Sequence, residues 1–263
     1  MMQIHLYCPD CLAELVALGM KNGLENLPPI YSDVNELLNN GVYTVTCSKG
    51  HTGKVVLNNL IFELLYDLGI NAIGDKYYRE AVASMTSALE RFYEFFIKTS
   101  WRIQGVGYDV IDKNWKEMAN QSERQLGAFI VAYTALFGGV APVMSNNAKN
   151  FRNSVIHKGE VPTREKTVDY AKTVLELIDL PLSDLQNAHM AIVNEVFEHY
   201  APHYEANNEE ENVLIINHPT IVRTNEILSE DDVRGNRDIE NLVKMVLEDR
   251  NHNRLRLVMD NNT

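Results

Sequence analysis

The sequence predicts a mainly α protein: a helical bundle over 58–204, preceded by a small β module at 1–57 and followed by a short α/β appendage at 205–263. Three observations carry this reading. Apolar residues recur at helical intervals through the middle of the chain. Before them, β-branched and aromatic residues cluster between turn residues, as in short strands. After Pro202 the helical pattern gives way to an acidic run and a brief apolar one.

Composition narrows the class. With 263 residues there is room for one substantial domain and a small one. Forty-five percent hydrophobic and 23 % charged residues describe an ordinary globular chain. No apolar run approaches the roughly 18 residues of a membrane helix. The start, Met-Met-Gln-Ile-His-Leu-Tyr-Cys, lacks the charged head and apolar core of a secretion signal, so a cytoplasmic location with reduced cysteines is expected. The net charge of −12 argues against a protein that coats nucleic acid non-specifically. The acidity is uneven, however. Residues 205–263 hold 13 acidic and 7 basic side chains, a net of −6. Between Lys149 and Lys172 the balance reverses, with Lys149, Arg152, Lys158, Arg164, Lys166 and Lys172 against Glu160, Glu165 and Asp169.

The elements follow in order. Gly41 opens Val42-Tyr43-Thr44-Val45-Thr46, and Lys54-Val55-Val56-Leu57 is placed to return as the second arm of a hairpin. The stretch before it, with Pro28-Pro29 at its centre, reads as an insertion. In 75–101, Val82, Met85, Leu89, Phe92 and Phe96 step by 3, 4, 3 and 4, so all five share one helix face, the core or a dimer interface. A loop is expected near 103–113. A second long helix is expected from Trp115 to Phe137, with Leu126, Phe129, Ile130, Tyr133 and Phe137 inward and Gly138-Gly139 and Pro142 ending it. A helix near 147–158 follows Ser145-Asn146, either of which suits an N-cap. Another helix spans 164–180, is interrupted by Pro181, and is succeeded by one running to Tyr200 with Ser183 and Gln186 as a capping box. In the tail, Glu209-Glu210-Glu211 reads as a solvated linker, 213–216 and 254–258 as strands, and 237–250 as a helix.

Cys8-Pro-Asp-Cys11 and Cys47-Ser-Lys-Gly-His51 are C-x2-C and C-x3-H pairs, and they contain every cysteine of the chain. Two such tight turns supply the four tetrahedral positions that Zn²⁺ prefers. The 35 residues between them exceed the common spacing. A redox C-x-x-C and unrelated thiols are the alternatives, the former disfavoured because no helix in a βαβ setting is expected after Cys11. Four protein ligands close the coordination sphere, so such a zinc is structural, and the module resembles a zinc ribbon.

The segment Phe-Arg-Asn-Ser-Val-Ile-His-Lys-Gly at 151–159 carries the chemistry. A histidine with an ordinary pKa near 6.5 can accept or give a proton at neutral pH. An arginine stays charged and can clasp phosphate oxygens, and Asn153 can orient either partner. With RNA, the substrate's own 2′-hydroxyl is the nucleophile. Helical phasing puts Phe151 and Val155 inward and Arg152, Asn153 and His157 outward, with His157 in the last turn before Gly159. Lys149 and Lys158 flank them as substrate-binding cations. The plain alternative is a surface helix that happens to carry these residues.

Arg152, Asn153 and His157, late in a bundle after two long amphipathic helices, resemble the motif of the HEPN superfamily, whose ribonuclease members carry Arg, a polar residue, three further residues and His. The resemblance covers roughly 70–200, including Ala88-Leu89-Glu90-Arg91-Phe92-Tyr93-Glu94-Phe95-Phe96 as its opening helix. It implies a homodimer whose two motifs form one cleft, metal-independent RNA cleavage through a 2′,3′-cyclic phosphate, and a role as a toxin or anti-phage effector. One branch carries a modifiable tyrosine two residues after the histidine, where this chain has Gly159. Other branches are non-catalytic modules for binding nucleic acid or protein, in which case the ribbon and the acidic tail would recruit a regulatory protein partner. A scaffold with an accidental Arg–His match is a third reading. His199 and His203 beside Glu195 and Glu198 look superficially like a metal-binding face, but Pro202 and the missing H-E-x-x-H pattern speak against it.

Overall fold

Val42–Thr46 is strand β1, and it pairs antiparallel with β2 (Thr52–Leu57), Thr46 opposite Thr52 and Val42 opposite Val56. This is the hairpin expected from the β-branched run. The computed structural model describes residues 4, 6–17, 37–205, 212–226 and 238–248, which divide into two units: 1–60 with 200–219, and 61–199 with 220–263. The Pro28-Pro29 insertion, the acidic linker at 209–211 and the strand expected at 254–258 lie outside the described residues.

The first unit is a three-stranded sheet with one helix. β3 (Val213–Ile216), a strand expected from its apolar run, joins the hairpin by pairing parallel with β2. The sheet thus takes its third strand from the region read from sequence as a separate appendage. That joining is non-local and leaves no periodic trace. Gly41 enters β1 at φ +61°, where a Cβ would lie 2.5 Å from Pro202 Cγ, so both its handedness and its bareness are used. Helix α1 (Pro9–Ala17) packs on β2. A helix here departs from the expected turns and strands, and Pro9 in the first helical position explains how it starts.

The second unit is helical, and α3 (Tyr78–Ile103) is its axis. α2 (Ile61–Gly74), α4 (Tyr108–Lys116), α5 (Ser122–Phe137) and α6 (Asn146–Lys158) all pack on it. Val82, Met85, Leu89, Phe92 and Phe96 are all buried, as the 3-4-3-4 spacing predicts. Phe96 is fully enclosed and lies within ring-contact range of Phe92, Phe129, Tyr133 and Phe137. The loop expected near 103–113 becomes α4 from Tyr108, and the long helix expected from Trp115 is divided between α4 and α5. Ile130, expected inward, is 39 % exposed beside Val131 at 69 %. Gly138 ends α5 as a left-handed cap.

α7 (Arg164–Tyr200) continues through Pro181, which was expected to end it. Pro181 is buried within the helix and forfeits one backbone hydrogen bond, while the break in helical geometry falls at His189 (φ −143°, ψ 33°). Ser183 and Gln186 therefore do not form a capping box. Gln186 is 1 % exposed, and its amide nitrogen lies 2.8–3.0 Å from the carbonyls of Arg223, Thr224 and Glu226. From α2, buried Glu63 accepts from the Thr224 N–H and hydroxyl at 2.9 and 2.7 Å, and Asp67 accepts from the Ile221 N–H at 3.0 Å. These side chains tie 220–226 to the bundle and satisfy its backbone. A helix α8 at 239–248 follows, as expected. No helix of the described residues is long and apolar enough to cross a membrane.

Truncating Phe96 to Ala should remove about 3–5 kcal/mol of stability, because four rings would border the cavity. Val140→Ala, at a position 95 % exposed, should stay within about 0.5 kcal/mol. Denaturant unfolding of both variants tests the contrast, and equal losses would mean that the core is misplaced.

Candidate functional sites

Cys8 immediately precedes α1, its carbonyl accepting from the Leu12 N–H at 3.0 Å, Cys11 lies in the first turn of α1, and Cys47 and His51 bracket the tight turn between β1 and β2. The Cys47 N–H donates to the His51 carbonyl at 2.9 Å and the Gly50 N–H to the Cys47 carbonyl at 2.8 Å, which draws both side chains to one side. The result is a single cluster whose four donor atoms all lie within 4.8 Å of one another. Cys11 Sγ is 3.8 Å from Cys47 Sγ and 3.5 Å from His51 Nδ1, and Cys8 Sγ is 4.0 Å from the same nitrogen. A tetrahedral ion bonded at about 2.3 Å to sulfur and about 2.0 Å to nitrogen needs S–S and S–N edges of about 3.8 and about 3.5 Å. Cys8, Cys11, Cys47 and His51 can therefore hold a metal ion.

α1 runs through Cys11, but among the described residues no strand precedes it and β1 and β2 after it pair antiparallel, so the βαβ setting of a redox C-x-x-C is absent. The convergence of Cys47 and His51 on the same centre adds a second argument against that role. None of the three cysteines is in a disulfide. Burial, then the neighbouring Cys47 and Cys8 thiols, push the Cys11 thiol up to about 12. Burial also raises Cys47, but backbone groups of His51 and Lys49, with Cys11, outweigh it and leave that thiol below its ordinary value. Two residues the sequence reading missed border the cluster. Glu14 Oε2 accepts from Lys49 Nζ at 2.8 Å, and Glu14 Oε1 lies 3.9 Å from His51 Nε2.

The second site is on α6. Ser145 is its N-cap, its hydroxyl accepting from the Ala148 N–H at 3.3 Å, and Gly159 closes it with φ 75°, the left-handed conformation that glycine adopts freely. Val155 is buried, and Phe151 packs on Tyr170 of α7 with ring centroids 5.5 Å apart. Of the polar trio only His157 is exposed. Arg152 and Asn153, expected outward, are half-buried, and Arg152 Nε donates to Asn153 Oδ1 at 3.0 Å. Burial pushes the Tyr170 phenol up to about 12, with the Arg152 charge and the Thr86 hydrogen bond acting against it. Lys149 and Lys158 make no ion pair among the described residues, whereas Lys166 and Lys172 pair with Glu160 and Glu176 and Arg164 with Glu240. An open cleft of about 520 Å³ lies between α6 and α7, with Asn147, Asn150 and Ser154 on one wall, Asp169 and Thr173 on the other, and Phe151 and Tyr170 among its lining.

No protein-family model matches the chain, and no curated protein or solved structure matches it.

Among the described residues, His199, His203, Glu195 and Glu198 do not gather into a group that could hold a metal ion. The His199 ring stacks on Tyr108 at 3.6 Å, and Glu195 accepts from Arg102 Nε at 2.7 Å and from the Tyr108 hydroxyl at 3.2 Å. The sequence held no sign of this pairing, because α3, α4 and α7 each contribute a part.

The purified chain should carry one divalent ion per molecule by elemental analysis, and Cys47→Ala should lose it. Thiols must give up protons to bind the ion, so affinity should fall as pH falls and loading should release protons into a weak buffer. Three freely titrating thiols in untreated wild-type protein, with no bound ion, would remove the assignment.

Proposed function

We propose that this protein is a HEPN-type, metal-independent endoribonuclease with a structural zinc ion at Cys8, Cys11, Cys47 and His51. The observation that carries the nuclease reading is the placement of Arg152, Asn153 and His157 on one capped helix, with His157 exposed in its last turn and Arg152 tethered to Asn153. Three thiols and one imidazole whose donor atoms lie within 4.8 Å of one another favour zinc among divalent ions, and four protein donors leave no open position for catalysis.

The proposed chemistry needs only residues of the chain and the RNA. His157 takes the proton of a 2′-hydroxyl as its oxygen attacks the adjacent phosphorus. The bond to the 5′-oxygen breaks, that oxygen receives a proton, and a 2′,3′-cyclic phosphate and a 5′-hydroxyl remain. The Arg152 guanidinium stabilises the negative charge that develops on the phosphate oxygens. Asn153 positions Arg152, and Lys149 and Lys158 attract the backbone. Five residues on an α-helix turn through about 140°, so Arg152 and His157 of one copy do not share a face. Two copies can place both types on one substrate, one histidine as base and the other as acid, which supports a homodimer. Ile130 and Val131 of α5 offer apolar surface for such an association. A toxin or anti-phage role follows from the same reading, with RNA as substrate.

The half-burial of Arg152 favours one alternative, a non-catalytic HEPN-type module in which the arginine is structural and His157 only contacts a nucleic acid or protein.

Mixed RNA incubated with the protein in EDTA tests the reading. Wild type should cleave it, leaving 2′,3′-cyclic phosphate ends, and His157→Ala and Arg152→Ala should each lose about 10²–10⁴-fold in rate with helix content unchanged by circular dichroism. Intact RNA with wild type would favour the non-catalytic module, and cleavage indifferent to both substitutions would discard the assigned site. A monomer by light scattering would exclude the shared cleft.

A further inference from the structure

The arrangement of the cysteine–histidine cluster decides which nitrogen of His51 serves as donor. Nδ1 is the atom that faces the thiols, 3.5 Å from Cys11 Sγ and 4.0 Å from Cys8 Sγ. Nε2 consequently points out of the cluster, where Glu14 Oε1 lies 3.9 Å away. Glu14 stands on α1, three residues after Cys11, so the helix that presents one ligand also presents this carboxylate on nearly the same face. Its second oxygen accepts from Lys49 Nζ at 2.8 Å, and Lys49 belongs to the turn that carries Cys47 and His51. One carboxylate thus links the two ligand pairs from outside the donor set, one oxygen on Lys49 and the other toward the His51 ring.

As a plain surface ion pair this contact would count for little, since both side chains are about half exposed, 57 % for Lys49 and 48 % for Glu14. Metal chemistry gives it a use. An imidazole that binds an ion through Nδ1 must carry its proton on Nε2, and that N–H requires an acceptor to set the ring plane and raise the basicity of the donor nitrogen. Glu14 Oε1 lies on the Nε2 side of the ring at 3.9 Å, a short side-chain movement from accepting that N–H, and Lys49 holds the carboxylate nearby.

Resting on the metal reading of the cluster, we propose that Glu14, held by Lys49, is the positioning residue that makes His51 an Nδ1 ligand and tightens binding of the ion. The test uses the full chain loaded with Co²⁺ or Zn²⁺, with affinity measured by competition against a chromophoric chelator. Glu14→Ala should weaken Zn²⁺ binding about 10–100-fold, whereas Glu14→Gln, which keeps an acceptor oxygen, should recover most of the loss. In a His51→Cys background the same Glu14→Ala change should have almost no effect, because no ring remains to be positioned. Nitrogen-15 spectra of the zinc-loaded wild type should show His51 protonated on Nε2, a readout that holds even if the His51→Cys chain folds poorly. Ligation through Nε2 would overturn the proposal, as would an equal loss in both backgrounds. Tight wild-type binding with Glu14→Ala unchanged would defeat this proposal alone. A wild-type chain that binds neither ion would defeat the metal reading with it.

Discussion

The aromatic stripe of α3 is the packing on which the helical unit depends. Phe92 and Phe96 are fully enclosed, and between them they meet Phe62 of α2 and Phe129, Tyr133 and Phe137 of α5. Rings of this size bury more area than aliphatic side chains, and their tilted and edge-on contacts add orientation to simple burial. Because α2, α4, α5 and α6 all rest on α3, the helix that carries Arg152 and His157 is located by this core and not by contacts of its own polar residues. α6 itself buries only Val155 fully, and the Phe151–Tyr170 contact joins it to α7.

The sheet unit has a different physical basis. It spans three short strands and one described helix, and its ligand cluster ties the start of α1 to the β1–β2 turn. Small modules with little core commonly use a bound metal to replace missing hydrophobic burial, because the ion's binding energy becomes folding energy.

Much of this was legible in local pattern. The helical spacing of α3, the hairpin of β1 and β2, the Ser145 and Gly159 ends of α6, the strand at 213–216 and the cysteine–histidine quartet each have a signature within a few residues or in residue type. Where the reading went astray, distant contacts had outvoted local preference. Pro181 reads as a stop, yet packing around Leu177, Ile178, Leu182 and Leu185 keeps the helix going past a lost hydrogen bond. Arg152 reads as outward, yet it settles half-buried against Asn153. Gln186 reads as a helix cap, yet it is buried beneath backbone carbonyls of 223–226.

Sequence alone thus established most element types, the aromatic core face and the four residues that could hold a metal ion, because periodicity and residue chemistry are local properties. Folding in three dimensions added the parallel pairing of β3 with β2, the tie of 220–226 to α2 and α7, and the turning of His51 Nδ1 toward the thiols. Those depend on which atoms meet across tens or hundreds of residues, and backbone and side-chain hydrogen bonds between distant segments leave no periodic mark in the chain.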